Sequence, residues 1–213
     1  MCRQSVICVA EQSDFCKIEP KIFERLDLKY DIDELVKDWK KVSVDLREHN
    51  WFGHDDPGNR THQTCVQRSE LCEDFYKDGC GKLGKKDKKQ KEREFTIVNP
   101  TFQGTIFEKI CFDLKAHRGR LMKLMSKTAY SIHRDRAPRI HIAIDTNPDS
   151  MFLFPDQENK QIYHIPVDGH LYWVNTCVRH TFINGGPPRV HFVFASDEIN
   201  QQFDGCWERV REK

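Results

Sequence analysis

The 213 residues carry 34 Lys and Arg against 33 Asp and Glu, a net charge of +1, so whole-chain charge gives no case for nucleic-acid binding. The length suits one good-sized domain, or one domain with an appendage. No apolar run is long enough for a bilayer, and the opening MCRQSVICVAEQSDF lacks the apolar core of a secretory signal, so a soluble, cytoplasmic protein without a membrane partner is expected.

The nine cysteines stand at positions 2, 8, 16, 65, 72, 80, 111, 177 and 206. An odd number without a secretory signal reads as free thiols, and the isolated ones at 2, 111, 177 and 206 suit small buried hydrophobes. Residues 1–20 read as weakly ordered, punctuated by Pro20. From Asp31, DIDELVKDWKKVSVDL predicts a helix with Ile32, Leu35, Val36 and Trp39 on its apolar face and Asp31 or Asp33 as N-cap.

Residues 50–94 change character. HNWFGHDDPGNRTHQTC has loop composition, SELCEDFYKD predicts a short helix ending at Gly79, and GCGKLGKKDKKQKERE is a Gly-punctuated basic run that reads as a solvated loop. The same loop, about residues 82–93, is the place where an acidic or nucleic-acid partner would dock if residues 1–94 formed a docking module. His62 and Cys65 stand at close spacing, but Cys72 and Cys80 do not form the second close pair that structural zinc sites favour, which weighs against zinc there.

After residue 94 the chain turns apolar. FTIVNP predicts a short strand and TIFEKICFDLKAH an amphipathic helix ended by Arg118-Gly119. Strands follow in RLMKLMSKTAYSIH, RIHIAID, MFLFP, QIYHIPV, HLYWVNT and RVHFVFAS, separated by turns rich in Asn, Pro, Asp and Gly. The expected architecture is mainly β, a sandwich or barrel with flanking helices. It divides into an N-terminal helical and loop-rich region 1–94, a β core 95–196 and a C-terminal helix or tail 197–213.

Two of these strands share a pattern, Arg139-Ile140-His141-Ile142-Ala143-Ile144 and Arg189-Val190-His191-Phe192-Val193-Phe194. Alternation puts Arg and His on one face and bulky hydrophobes on the other, which predicts a polar site inside the barrel. Before the first copy stands His133-Arg134-Asp135, and nine residues before Arg189 stands His180. An H-x-D pair on extended backbone with a distant His supplies the two imidazoles and one carboxylate of a non-haem Fe(II) oxygenase, leaving positions for a bidentate cosubstrate and O2. The usual cosubstrate is 2-oxoglutarate, whose far carboxylate needs a buried fork-shaped cation, and Arg189 is the candidate. Arg139 has an ordinary salt bridge as its alternative. His141 and His191 have a plain core role as theirs.

The run from Tyr130 to Phe194 resembles the aspartyl/asparaginyl β-hydroxylase family of 2-oxoglutarate dioxygenases. The shared features are the R-x-H strand six residues after His133, Gly169 eleven residues before His180, and Arg189 on the strand after it. The likeness covers roughly residues 95–196. It implies a double-stranded β-helix, of the jelly-roll or cupin-like kind, with Fe(II) held by His133, Asp135 and His180. It further implies 2-oxoglutarate paired with Arg189, and Arg139 and His141 close to the cosubstrate. Asp135 supplies the carboxylate that the best-known vertebrate member lacks, and Met122 stands where the family has a Ser beside the far carboxylate. The implied activity is hydroxylation of an aspartyl or asparaginyl side chain in a peptide, or of a free amino acid, with release of succinate and CO2. A non-enzymatic cupin-like protein binding a metal or small carboxylate is the alternative.

Overall fold

The computed structural model describes residues 21–56, 58, 60–83, 90–156 and 161–203. The expectations for residues 1–20, for the middle of the basic run at 84–89, for the tail after 203, and for the thiols at 2, 8, 16 and 206 lie outside the described residues.

Strand β1 (Phe23–Lys29) leads into helix α1 (Ile32–Asp45). The Asp31 carboxylate accepts the first free N–H groups of α1, from Asp33 at 2.8 Å and Glu34 at 3.2 Å, as the sequence predicts. Its most buried positions are Leu35, Asp38 and Val42, so the buried stripe runs one residue beside the expected one. The edge strand β2 (Thr61–Cys65) and the small ladder of β3 (Gln67–Arg68) with β4 (Ile97–Val98) follow. Between β3 and β4, SELCEDFYKD forms turns in place of the expected helix. The Asp74 carboxylate takes the N–H of Tyr76 and Lys77, and that of Asp78 takes those of Glu73 and Asp74. Side-chain acceptors thus claim the backbone donors that a helix would use.

Helix α2 (Ile106–Asp113) is shorter than its amphipathic pattern, because the chain turns at Lys115, whose φ is 44°. The remaining strands are β5 (His117–Leu124), β6 (Thr128–Ala129), β7 (Arg139–Asp145), β8 (Ser150–Phe154), β9 (Gln161–Tyr163), β10 (His170–Val174), β11 (Thr181–Asn184) and β12 (Arg189–Ala195), with helix α3 (Asp197–Gln201) after them. The sequence pattern gives no sign of β1, β2, β3 and β11: four of the seven residues of β1 are charged, and the other three strands are short, with at most two apolar residues in succession.

Two antiparallel sheets face each other. One has six strands in the order β1-β10-β7-β12-β5-β2, the other four in the order β6-β11-β8-β9. From β5 to β12 the chain passes back and forth between the sheets. That winding is a double-stranded β-helix, the expected fold class. Its outer strands β1 and β2 come from residues 1–94, so the large sheet extends beyond the 95–196 stretch.

Alternation sorts the two R-x-H strands. Ile140, Ile142, Ile144, Val190, Phe192 and Phe194 point outward and pack with Leu35 and Val42 of α1 and Ile106, Phe107 and Ile110 of α2. Each such side chain removed from water contributes about 1.5–3 kcal/mol, so the helices and the sheet hold each other. The inward positions include Arg139, His141, Arg189 and His191, all buried, among Phe152, Phe154, Tyr172 and Phe182. Polar groups in such an interior are costly unless something satisfies them.

Candidate metal centre

His133 and His180 face each other in an isolated antiparallel bridge, each backbone N–H donating to the other's carbonyl at 3.0 Å. The bridge ties the segment before β7 to the one before β11 and brings the ring centroids to 4.4 Å. Two residues on, the N–H of Asp135 donates to the Thr176 carbonyl at 2.8 Å, just past β10. The main chain of two neighbouring segments thus fixes all three side chains, and the i, i+2 spacing of His133 and Asp135 puts both on one side.

The orientation of both imidazoles is set from behind. Nδ1 of His133 lies 2.7 Å from the Ser131 carbonyl, and Nδ1 of His180 lies 3.0 Å from that of Val178. A carbonyl accepts only, so Nδ1 carries the proton and Nε2 keeps its lone pair for a metal. Nε2 of His133 is 3.9 Å from Oδ1 of Asp135, and one ligand atom from each of the three residues falls within 4.8 Å of the others. Among the described residues this is the one group of three or more His, Cys, Asp or Glu that converges in this way. Burial lowers the His180 pKa, partly opposed by its Val178 hydrogen bond and by Asp135, which favours the neutral, ligating form. His180 is buried while His133 and Asp135 are partly exposed, so the cluster has one dry wall and one open side.

One inward position deeper on β11, about 7 Å along the strand, lies Phe182. The Arg189 guanidinium stacks over its ring at 4.0 Å. Arg189 is 1% exposed, yet Nε has no hydrogen-bond partner and Nη1 reaches only the Met122 carbonyl at 3.5 Å. No acidic side chain of the described residues pairs with it. Burial pulls its pKa down to about 10, with nearby Tyr130 acting the other way. The buried Tyr130 hydroxyl also lacks a partner, as do both ring nitrogens of His141 and of His191. His141 lies 5.1 Å from Phe152 and 5.9 Å from His191, ring to ring. Burial first, and the Arg189 charge second, hold both imidazoles well below their usual pKa, so both are neutral.

Arg139 stands apart from this inner set. Its Nη1 is 2.7 Å from Oε1 of Glu92, though off the N–H direction, and its Nε is 3.5 Å from Oδ2 of Asp135. Glu92 also meets Nη1 of Arg118 at 3.3 Å. Burial would raise the Glu92 pKa, but Arg139, Arg118, Arg120 and His117 outweigh it and hold the carboxyl at about 2. Glu92 escaped the sequence reading because it sits in the basic, polar run, with no local periodicity to mark it. Tyr130 carried only a faint signal, three residues before His133. Arg120 shares the inward alternation of Met122 and donates to Gln63 Oε1 at 3.0 Å. The thiols of Cys65 and Cys80 are 3.5 Å apart, while Cys72 contacts Ser69 and Gln90.

No known protein-family model matches the chain, and none of the curated proteins does. Solved structures give distant likenesses. An oxidoreductase of the 2OG-Fe(II) oxygenase family from Burkholderia pseudomallei is 12% identical, with a TM-score of 0.49 over 81% of this chain and 82% of that one. HygX from Streptomyces hygroscopicus, solved with nickel, 2-oxoglutarate and hygromycin B, is 9% identical, with a TM-score of 0.48 over 82% of this chain and 83% of that one. An RmlC-like cupin protein from Ralstonia eutropha is 10% identical, with a TM-score of 0.35 over 68% and 62% of the respective chains.

Proposed function

We propose that the protein is an Fe(II)- and 2-oxoglutarate-dependent dioxygenase that hydroxylates an aspartyl or asparaginyl side chain of a peptide, or a free amino acid. The observation that carries this reading is a pairing within one barrel. Two imidazoles with free Nε2 atoms and one carboxylate converge at the open end, and deeper in the same barrel, on β12 against Phe182, lies a buried guanidinium with no carboxylate partner among the described residues. The ligand chemistry fits a hard-to-borderline divalent ion with open positions. The orphaned Arg189 and Tyr130 donors fit the far carboxylate of a short diacid.

Iron bound there with 2-oxoglutarate and O2 supplies the oxidising power for C–H hydroxylation, with succinate and CO2 as coproducts. The chain's own part is positional. Ser131 and Val178 lock the tautomers of His133 and His180. Asp135 offers Oδ1 toward the imidazoles while Oδ2 faces Arg139. Arg189 and the Tyr130 hydroxyl hold the cosubstrate's distal end. The neutral His141 and His191, with Phe152 and Phe182, form the ring-lined interior between the two ends, which would keep water out.

The test is anaerobic reconstitution with Fe(II), followed by 2-oxoglutarate, ascorbate and air, with succinate and one-oxygen-heavier products read by mass spectrometry across candidate peptides and amino acids. Succinate release in the parent protein, lost in His180→Ala together with metal binding, is expected. Metal and 2-oxoglutarate binding without any succinate would establish instead a cupin-like binding protein. A His180→Ala variant that holds iron as the parent does would remove His180 from the ligand set.

A further inference from the structure

Glu92 lies outside the barrel's strands, in a single 3₁₀ turn (Glu92–Glu94), yet it reaches the metal cluster through one side chain. Its Oε1 is 2.7 Å from Nη1 of Arg139, and Nε of Arg139 is 3.5 Å from Oδ2 of Asp135. On its other side Glu92 meets Arg118, whose Nε and Nη2 donate to the carbonyls of Gly79 at 2.9 Å and Gly81 at 2.6 Å. Arg139 is 5% exposed, so solvent screens its charge poorly and the loss of a carboxylate partner is costly. Two acids therefore share its charge, and only one of them is a metal ligand.

We propose that Glu92 is a positioning residue for the metal centre. By engaging Arg139 from behind, it keeps that guanidinium from closing fully on Asp135, leaving the carboxylate free to ligate through Oδ1. Without the Glu92 charge, Asp135 is the remaining acid within reach of Arg139 among the described residues. Two effects then act in the same direction. The tighter ion pair turns Asp135 away from the imidazoles, and the uncompensated positive charge of Arg139 repels a dication. Carboxylates behind a metal ligand commonly set its orientation and basicity. Here the control is indirect, through a cation shared between two acids. This inference rests on the metal reading above and extends it to a residue of the polar segment that precedes β4.

The experiment is anaerobic Co(II) titration of the apoprotein, followed by the visible d–d absorption, which reports both affinity and ligand set. In Glu92→Gln the Co(II) affinity is expected to fall about tenfold or more, with an altered d–d band. In Glu92→Gln/Arg139→Gln the competing cation is gone, and affinity and band are expected to return close to the parent's. Glu92→Asp keeps the charge but draws it back from Arg139. It should show the same change at smaller amplitude, and it serves if Glu92→Gln does not fold. Parent-like titration of Glu92→Gln, or of Glu92→Asp where that variant has to serve, overturns the positioning role alone. So does a loss that the Arg139→Gln change fails to reverse, because Glu92 would then act only through the fold. A parent protein that takes up no Co(II), or an Asp135→Asn variant that binds it equally well, overturns the metal reading and this inference with it.

Discussion

Arg189 is a guanidinium fully buried in the barrel, with an unpaired Nε and no acid beside it among the described residues. In the apoprotein such a cation is a cost to stability. Arg189→Met is therefore expected to leave the apo Tm unchanged or raise it, while abolishing 2-oxoglutarate binding measured by calorimetry in the presence of Mn(II). Arg189→Lys replaces a planar fork with a point charge and should weaken that binding about tenfold. A residue kept only for packing would give the opposite order, with Arg189→Met losing stability. Glu92 behaves in the contrary sense, because its folded pKa of about 2 lies below the ordinary carboxylate value near 4.3. A depressed carboxylate contributes stability above its unfolded pKa and loses it as pH falls through the folded one. Between about pH 5 and pH 2, denaturant unfolding should lose on the order of 3 kcal/mol that Glu92→Gln does not lose. His133, Asp135, His180 and Arg189 could be picked out as candidates from residue type and spacing. The pairing of Arg139 with Glu92 could not be, since Glu92 is 47 positions away in a segment of solvated character.

At the level of elements, the helices are fastened to the sheet by specific polar contacts as well as by the apolar stripe. Asp38, buried on α1, accepts the N–H of Ile106 at 2.7 Å, where the side chain of the N-cap Thr105 makes no capping bond. Asp38→Ala should cost roughly 1–2 kcal/mol in thermal or denaturant unfolding, and Asp38→Asn much less. Gly169 sits at the turn into β10 with φ 78°, and its carbonyl accepts the N–H of Tyr30 at 2.9 Å. A Cβ there would come within 2.2 Å of the Tyr30 carbonyl oxygen, a backbone atom that cannot swing aside. Gly169→Ala is expected to destabilise by about 2 kcal/mol or more, read as a lowered unfolding midpoint, because positive φ and the collision add. Amphipathic periodicity was enough to place α1, and alternation was enough for β7 and β12. It failed at SELCEDFYKD because Asp74 and Asp78 capture their own neighbours' N–H groups, a local competition that a periodic pattern does not register.

Across the whole molecule, residues 1–94 complete the large sheet. β1 covers the edge of β10, β2 covers β5, and α1 packs on the outer face of β7. A fragment starting at residue 95 would expose both edges and the apolar outer face, and would leave Arg118 and Arg139 without Glu92. Such a fragment should show no cooperative thermal transition, whereas the full chain should show one, by circular dichroism. Among the described residues no helix is long and apolar enough to cross a membrane. The linear sequence by itself determined which residues face inward on β7 and β12, since strand alternation is a local property of the backbone. It also determined that His133 and Asp135 share a side, for the same reason. Only the tertiary structure decided that His180 lies opposite His133 through a backbone bridge, that Arg189 stacks over Phe182, and that Glu92 stands behind Arg139. Those relations depend on how distant segments pair and pack, and no local periodicity carries that information.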